Sequence, residues 1–184
     1  MLQTLLELDS NILLWIQDVI RNDFLTPIVV FITHLGDKGA IWMVLAIALA
    51  IPKKTRRASV LVLMALLLSY IINNVVLKNA VARTRPYEVI DSLQLLIQRQ
   101  KDFSFPSGHT ASSFAAAVVL YRRLPKKYGV LAMVLAVLIS LSRLYVGVHY
   151  PSDVLCGALS GIVIALMLCK GEQILVAKGK LKYY

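Results

Sequence analysis

At 184 residues the chain has room for one domain. It is 58% hydrophobic with a mean hydropathy of +0.71, which excludes an ordinary soluble domain, where about half the residues would be apolar. The net charge of +10 comes from 20 basic and 10 acidic residues, but the bases stand between apolar runs and form no single soluble face. That argues against nucleic-acid binding and for positive-inside loops, an anionic headgroup surface or an anionic substrate.

Residues 2–21 place Leu5, Leu8, Ile12, Ile16 and Val19 at helical spacing, with Glu7, Asp18 and Arg21 interspersed. This is the pattern of an amphipathic helix that lies in the membrane interface or packs against a bundle. No basic leader precedes an apolar stretch, so no cleavable signal peptide is expected. Apolar runs at 24–35 and 39–52 flank the turn Gly36-Asp37-Lys38-Gly39. Each is shorter than the roughly 20 residues of an isolated span. A hairpin of two short spans is expected, because such a turn is costly at mid-membrane; the alternative is one bent element. Residues 58–77, 107–121, 128–144 and 152–169 read as further spans. The expected fold is therefore all-α. An amphipathic helix over 1–22 precedes a bundle of six transmembrane helices over 24–169, and a basic tail over 170–184 follows it.

Between the third and fourth spans, Val89, Ile90, Leu93, Leu96 and Ile97 share one helical face, which predicts a short surface helix. Gly157 and Gly161 form a G-x3-G pattern suited to close packing inside the bundle. Cys156 and Cys169 would lie about 20 Å apart on one helix, beyond disulfide reach. Trp15, Trp42, Tyr183 and Tyr184 read as interfacial or core aromatics, and His34 with the 36–39 turn as a simple turn near the mouth of any site.

Three basic clusters orient the chain: Lys53, Lys54, Arg56 and Arg57; Arg122, Arg123, Lys126 and Lys127; and Lys170, Lys178, Lys180 and Lys182. With six spans and a cytoplasmic N-terminus all three fall inside. A single crossing by residues 24–52 would put the N-terminus outside and leave the clusters where they are. Either way, residues 78–106 and 142–153 fall on the outer side.

That side collects polar groups that are expensive near hydrocarbon, and such a cluster is a functional site by default. Lys78, Arg85 and Arg143 supply cationic donors, and the arginine fork matches phosphate oxygens. Ser107 and Gly108 stand at a helix start, where free N–H groups and the helix dipole favour an anion. His149 precedes Asp153 by four residues, a spacing that brings carboxylate and imidazole together and leaves the other ring nitrogen free to attack phosphorus. His109 has no such partner in its motif and suits a general acid. Acidic residues are too sparse for a two-metal centre, so neither metal nor other cofactor is expected. Arg83 suits a lipid headgroup as well as a substrate.

These segments, K-x6-R-P from Lys78, P-S-G-H from Pro106 and S-R-x5-H-x3-D from Ser142, resemble the signature of the type 2 phosphatidic acid phosphatase superfamily, with every position present and in order. The resemblance spans residues 78–153. It implies His149 as nucleophile, Asp153 as its orienting partner, His109 as the acid, and Lys78, Arg85, Ser107, Gly108 and Arg143 as phosphate binders. It further implies an integral membrane phosphatase with an outward-facing site, acting on a phospholipid or polyprenyl phosphate. Undecaprenyl diphosphate is the leading substrate, with phosphatidylglycerophosphate or phosphatidate as alternatives. Two other classes share parts of this pattern: a vanadate-dependent haloperoxidase, distinguished by a bromination assay, and a non-catalytic lipid-phosphate binder, distinguished by phosphate release.

Overall fold

The computed structural model describes residues 2–179; Met1 and residues 180–184, including Lys180, Lys182, Tyr183 and Tyr184 of the expected tail, lie outside the described residues. Helix α1 (Leu2–Trp15) runs on into a π turn, Ile16–Ile20. Helices α2 (Leu25–Leu35) and α3 (Ala40–Ala50) are joined through a 3-10 turn, Asp37–Gly39. Helix α4 (Arg56–Ser69) continues as a π-helix, Tyr70–Leu77, into the short α5 (Lys78–Val81), followed by α6 (Pro86–Val89). Helices α7 (Gly108–Arg123), α8 (Lys126–Tyr145) and α9 (Pro151–Ala177) complete the bundle. The described residues are helical or irregular, with no strand among them.

Helix α7 is the axis of the bundle because its sequence is small on every side. Ala111, Ala115, Ala116 and Ala117 are fully buried. Small side chains let backbones approach closely, which is how helices gain contact when lipid tails are as apolar as leucine. The two glycines of the G-x3-G pattern meet α7 directly. A Cβ on Gly157 would lie 2.7 Å from the Ser107 carbonyl oxygen, and one on Gly161 2.3 Å from that of Ala111. The pattern therefore serves packing within the bundle. Since backbone cannot step aside, Gly161→Val is expected to cost about 1–3 kcal/mol. A lower melting temperature in detergent checks this; an unchanged one refutes the packing role.

Outside this axis the helices are apolar on the surface. Ile47, Leu67, Leu131, Leu159 and Met167 are all exposed on α3, α4, α8 and α9. In water such a belt would be a liability; in a bilayer it is the lipid face. By length and composition three helical stretches, Lys53–Val89, Lys126–Tyr145 and Pro151–Ala177, can each cross a membrane alone.

The structure departs from several expectations. The segments 24–35 and 39–52 do not form a hairpin. Helices α2 and α3 are bent by 49°, a kink and not a reversal, as in a broken span or a re-entrant loop. Two residues at positive φ, Lys38 (51°) and Gly39 (70°), absorb the break. Six helices are present where six spans were expected, and of these three stretches, or four with the bent pair as one, meet the length and apolarity of a span. The N-terminal helix is correspondingly at the other end from the basic clusters. Asp9 accepts hydrogen bonds from Arg83 and Ser152, beside the start of α9, whereas Arg57 and Arg123 pair with Glu172 at the opposite end. Of the apolar residues at helical spacing in this first stretch, only part faces the bundle. The buried stripe runs through Asp9, Leu13 and Ile16, while Leu5, Leu8 and Val19 are exposed. The helix turns Asp9 inward because a carboxylate on the bundle side finds a guanidinium there.

Finally, residues 87–105 are helical only to Val89. Beyond it the backbone bonds other parts of the chain: Leu96 N–H donates to the Val146 carbonyl, and the Gln94 carbonyl accepts from Arg21. Buried Leu93 packs in a cluster with Leu13, Ile16 and Val146. The apolar residues of the segment reach the core from an irregular loop, so a helix is not needed to bury them.

Candidate active site

The three polar segments meet at one end of the bundle. Lys78 opens α5 and Arg85 precedes α6; Ser107 caps α7, with His109 in its first turn. Arg143 lies in the last turn of α8, His149 in the connection that follows, and Asp153 in the first turn of α9. A cavity of about 610 Å³ opens between them, lined by Lys78, Arg85, Gly108, His109, Arg143 and His149. Ser107 and Asp153 stand behind that lining, tied together by a 3.1 Å bond from the Ser107 N–H to the Asp153 carbonyl. The Ser107 hydroxyl accepts from the Thr110 N–H at 3.4 Å, which holds the start of α7.

The cations are buried and unequal in company. Lys78 and Arg85 are 5% and 3% exposed, and both bind the carboxylate of Asp102. Arg85 also donates to the Asp102 and Val148 carbonyls, at 2.8 and 2.7 Å. Burial alone would raise the Asp102 carboxyl, but its bonds to Lys78 and Arg85 reverse this and hold it at about 2. Asp102 is therefore an anion at any ordinary pH, seated between two cations at the cavity. Arg143 differs. Its Nη1 donates to Thr33 Oγ1 at 2.6 Å, its buried Nε has no partner, and no carboxylate bonds it. A buried guanidinium with an unmet donor is a receptor for an anion that arrives from outside.

Of the two histidines, His149 is the more deeply placed, at 1% exposure. Its Nδ1 lies 3.6 Å from Asp153 Oδ2, too long for a hydrogen bond, and has no other partner. Burial pushes the imidazole down to about 3; Asp153 pulls the other way, and the charges of Arg85 and Arg143 add to the fall. The ring is thus neutral near pH 7, as a nucleophile must be. Asp153 is fixed from three sides, by Ser104 Oγ, the Tyr150 N–H and Arg83 Nη1. Arg83 in turn holds Asp9 at 2.8 Å and lies over the Tyr150 ring. It is not among the residues that line the cavity; it locks the carboxylate behind His149. His109 does have a carboxylate partner, Asp37, whose Oδ1 is 2.9 Å from its Nε2.

The predicted residues are thus brought together, and four others join them unannounced: Asp9, Asp37, Asp102 and Ser104. Nothing in the sequence marked Asp102 or Ser104, which sit in the irregular loop. Asp9 carried no distinguishing signal, as one of three acids, with Glu7 and Asp18, in the same half-apolar stretch. Asp37 lay in the turn read as near the mouth. Among the described residues no group of three His, Cys, Asp or Glu side chains is placed to hold a metal ion.

The sequence profile of the PAP2 superfamily matches residues 58–174, which holds all eight predicted site residues, while Asp9 and Asp37 lie before it. The chain belongs to the PAP2 superfamily. Within PAP2 proteins it is 33% identical over 149 residues to an undecaprenyl-diphosphatase of Sulfolobus acidocaldarius, a match covering 81% of this chain and 71% of that one. Two solved PAP2-like structures share the fold. Aquifex aeolicus LpxE superposes with a TM-score of 0.78 at 28% identity, covering 87% of this chain and 93% of its own. A transmembrane PAP2-type phosphatidylglycerolphosphate phosphatase from Bacillus subtilis gives 0.77 at 26% identity, covering 98% and 89%.

Proposed function

We propose that this PAP2 protein hydrolyses a lipid phosphate or diphosphate through a phosphohistidine on His149, without a metal, at the outer face of the cell membrane. The observation that supports this most is the meeting of a neutral, buried imidazole with three cations around one cavity. In the first step the free His149 nitrogen donates its electron pair to phosphorus as the bond to the leaving oxygen breaks, and His109 gives that oxygen a proton. In the second, water attacks phosphorus and loses a proton to His109, the P–N bond breaks, and phosphate leaves. Lys78, Arg85 and Arg143 hold the equatorial oxygens while charge shifts. The positive-inside rule places the basic end in the cytoplasm and hence the site outside.

The cavity also has an apolar wall. Met43 of α3 and Leu63, Leu66 and Leu67 of α4 line it below the cations, and Met43, Leu63 and Leu67 are partly exposed on the lipid side. A substrate tail can lie between these helices while its phosphate sits in the socket. Undecaprenyl diphosphate is the substrate this reading favours, in keeping with the named activity of the archaeal relative; phosphatidylglycerophosphate and phosphatidate are the alternatives. The test is phosphate release by purified protein in detergent with a chelator present, over a panel of these three lipids. Release undiminished by the chelator and fastest on the polyprenyl diphosphate is expected; no release from any of them would end the proposal.

Asp102 makes a prediction of opposite sign to the other site residues. A phosphate that bridges Lys78 and Arg85 must displace its carboxylate. Asp102→Asn should lower KM for lipid phosphate, and the inhibition constant of inorganic phosphate, by about threefold to tenfold, the scale of a half-exposed ion pair. A raised KM would show instead that Asp102 positions the two cations.

A further inference from the structure

The turn between α2 and α3 is built around His109. Gly36 leaves no room for a side chain there: a Cβ would lie 2.8 Å from His109 Cδ2 and equally close to Ile139 Cγ2. The next residue, Asp37, places Oδ1 2.9 Å from His109 Nε2 and Oδ2 2.8 Å from His34 Nδ1. Lys38 then adopts φ 51°, a left-handed conformation that a side-chain-bearing residue takes only when its surroundings require it. A kinked span, a glycine pressed against the imidazole and a strained residue thus converge on one result, a carboxylate at the far edge of the ring.

We propose that Asp37 is a positioning residue for His109, holding the ring by Nε2 so that Nδ1 delivers the proton to the leaving oxygen. The inference rests on the reading of His109 as the general acid. A carboxylate only accepts, so the Nε2 it binds carries a hydrogen, and the transferable proton belongs on Nδ1. The need for such a partner follows from the socket itself. His109 shares the cavity with Lys78 and Arg143, which repel a positive charge on the ring. An acid must carry that charge before it donates. Asp37 offsets the repulsion with its own negative charge, 2.9 Å from Nε2, and His34 fixes the other carboxylate oxygen. Water returns the proton to Nδ1 in the second step, so the cycle balances without moving a proton through Asp37.

A leaving group that departs as a stable anion needs no proton, whereas an alkoxide does. The test therefore compares kcat/KM on a lipid alkyl phosphate with that on p-nitrophenyl phosphate, for the wild type, Asp37→Asn and His109→Ala. For Asp37→Asn the aryl-to-alkyl ratio should rise by tenfold or more, the alkyl rate carrying the loss, and Asp37→Glu should restore part of it. A general disturbance of the fold would lower both rates together and leave the ratio where it was, which would overturn the inference. If His109→Ala raises the ratio and Asp37→Asn does not, Asp37 has no such role and the acid stands. If neither raises it, the assignment of His109 as acid falls with it.

Discussion

Replacing His149 by alanine is expected to lower phosphate release by about 10⁴-fold or more, the scale seen when a covalent nucleophile is removed. No other group at the cavity can take over. His109 is held by Asp37, and the remaining polar groups there are chiefly cations or already bonded. The same substitution should abolish a labelled phosphoenzyme that is labile in acid and stable in base, the signature of a phosphohistidine. The fold should survive, because Asp153 keeps Arg83, Ser104 and the Tyr150 N–H when the imidazole goes. Release within tenfold of wild type would refute the mechanism.

His149 also makes a prediction about pH. Its folded value of about 3 lies below the unfolded value of about 6.5, so between the two the unfolded chain binds a proton that the folded one refuses. Stability from this group is complete above about pH 6.5 and declines as pH falls towards 3, by at most about 1.4 kcal/mol per unit. His149→Gln, which keeps a polar side chain but does not titrate, should flatten that decline in a detergent melting series taken from pH 7.5 to 4.5. Parallel curves would mean that the histidine is protonated in the fold.

Arg143 should show the second largest effect, in two opposed directions. Losing a preorganised charge aimed at the transferring phosphoryl group costs on the order of 10³-fold in kcat, and Arg143→Met should show it. Arg143→Lys keeps the charge but not the fork and should fall between. Yet the unliganded protein should become more stable in Arg143→Met. The guanidinium is 1% exposed, is bonded by no carboxylate and has an unpartnered Nε. Burying such a charge opposes folding, and a flexible apolar side chain of similar length removes the penalty. A raised melting temperature without phosphate, together with lost stabilisation by added phosphate or vanadate, is the expected pair. A lowered melting temperature would show that the bond to Thr33 outweighs the buried charge.

The helices and the chemistry of the site were largely legible in the residue order. Hydropathy and helical spacing are local properties, and they located α7 and α8 to within two residues; they found the starts of α4 and α9, but α9 runs on to Ala177 through residues expected as the basic tail. The basic clusters marked the end of the bundle away from the site for the same reason. The eight candidate residues could be named because three short polar runs, each ordinary alone, fall together on one side of the bundle and match one family signature. That Gly157 and Gly161 serve close packing inside the bundle was also readable, but that their partner is α7 was not.

Other features depended on separations that leave no periodic trace. Asp37 meets His109 across 72 residues, Arg83 meets Asp9 across 74, and Asp102 meets Lys78 across 24. The apolar spacing of 87–105 suited a helix, but backbone bonds to Val146 and Arg21 held an irregular loop instead. The 36–39 turn suited a reversal, but two left-handed residues allowed a kink, and the path of the first span followed from that. Residue order sets which groups must leave water and which demand a partner of opposite charge. Which partner each one finds is a matter of how the helices stack, because a buried charge accepts any counter-charge that the packing brings within about 3 Å.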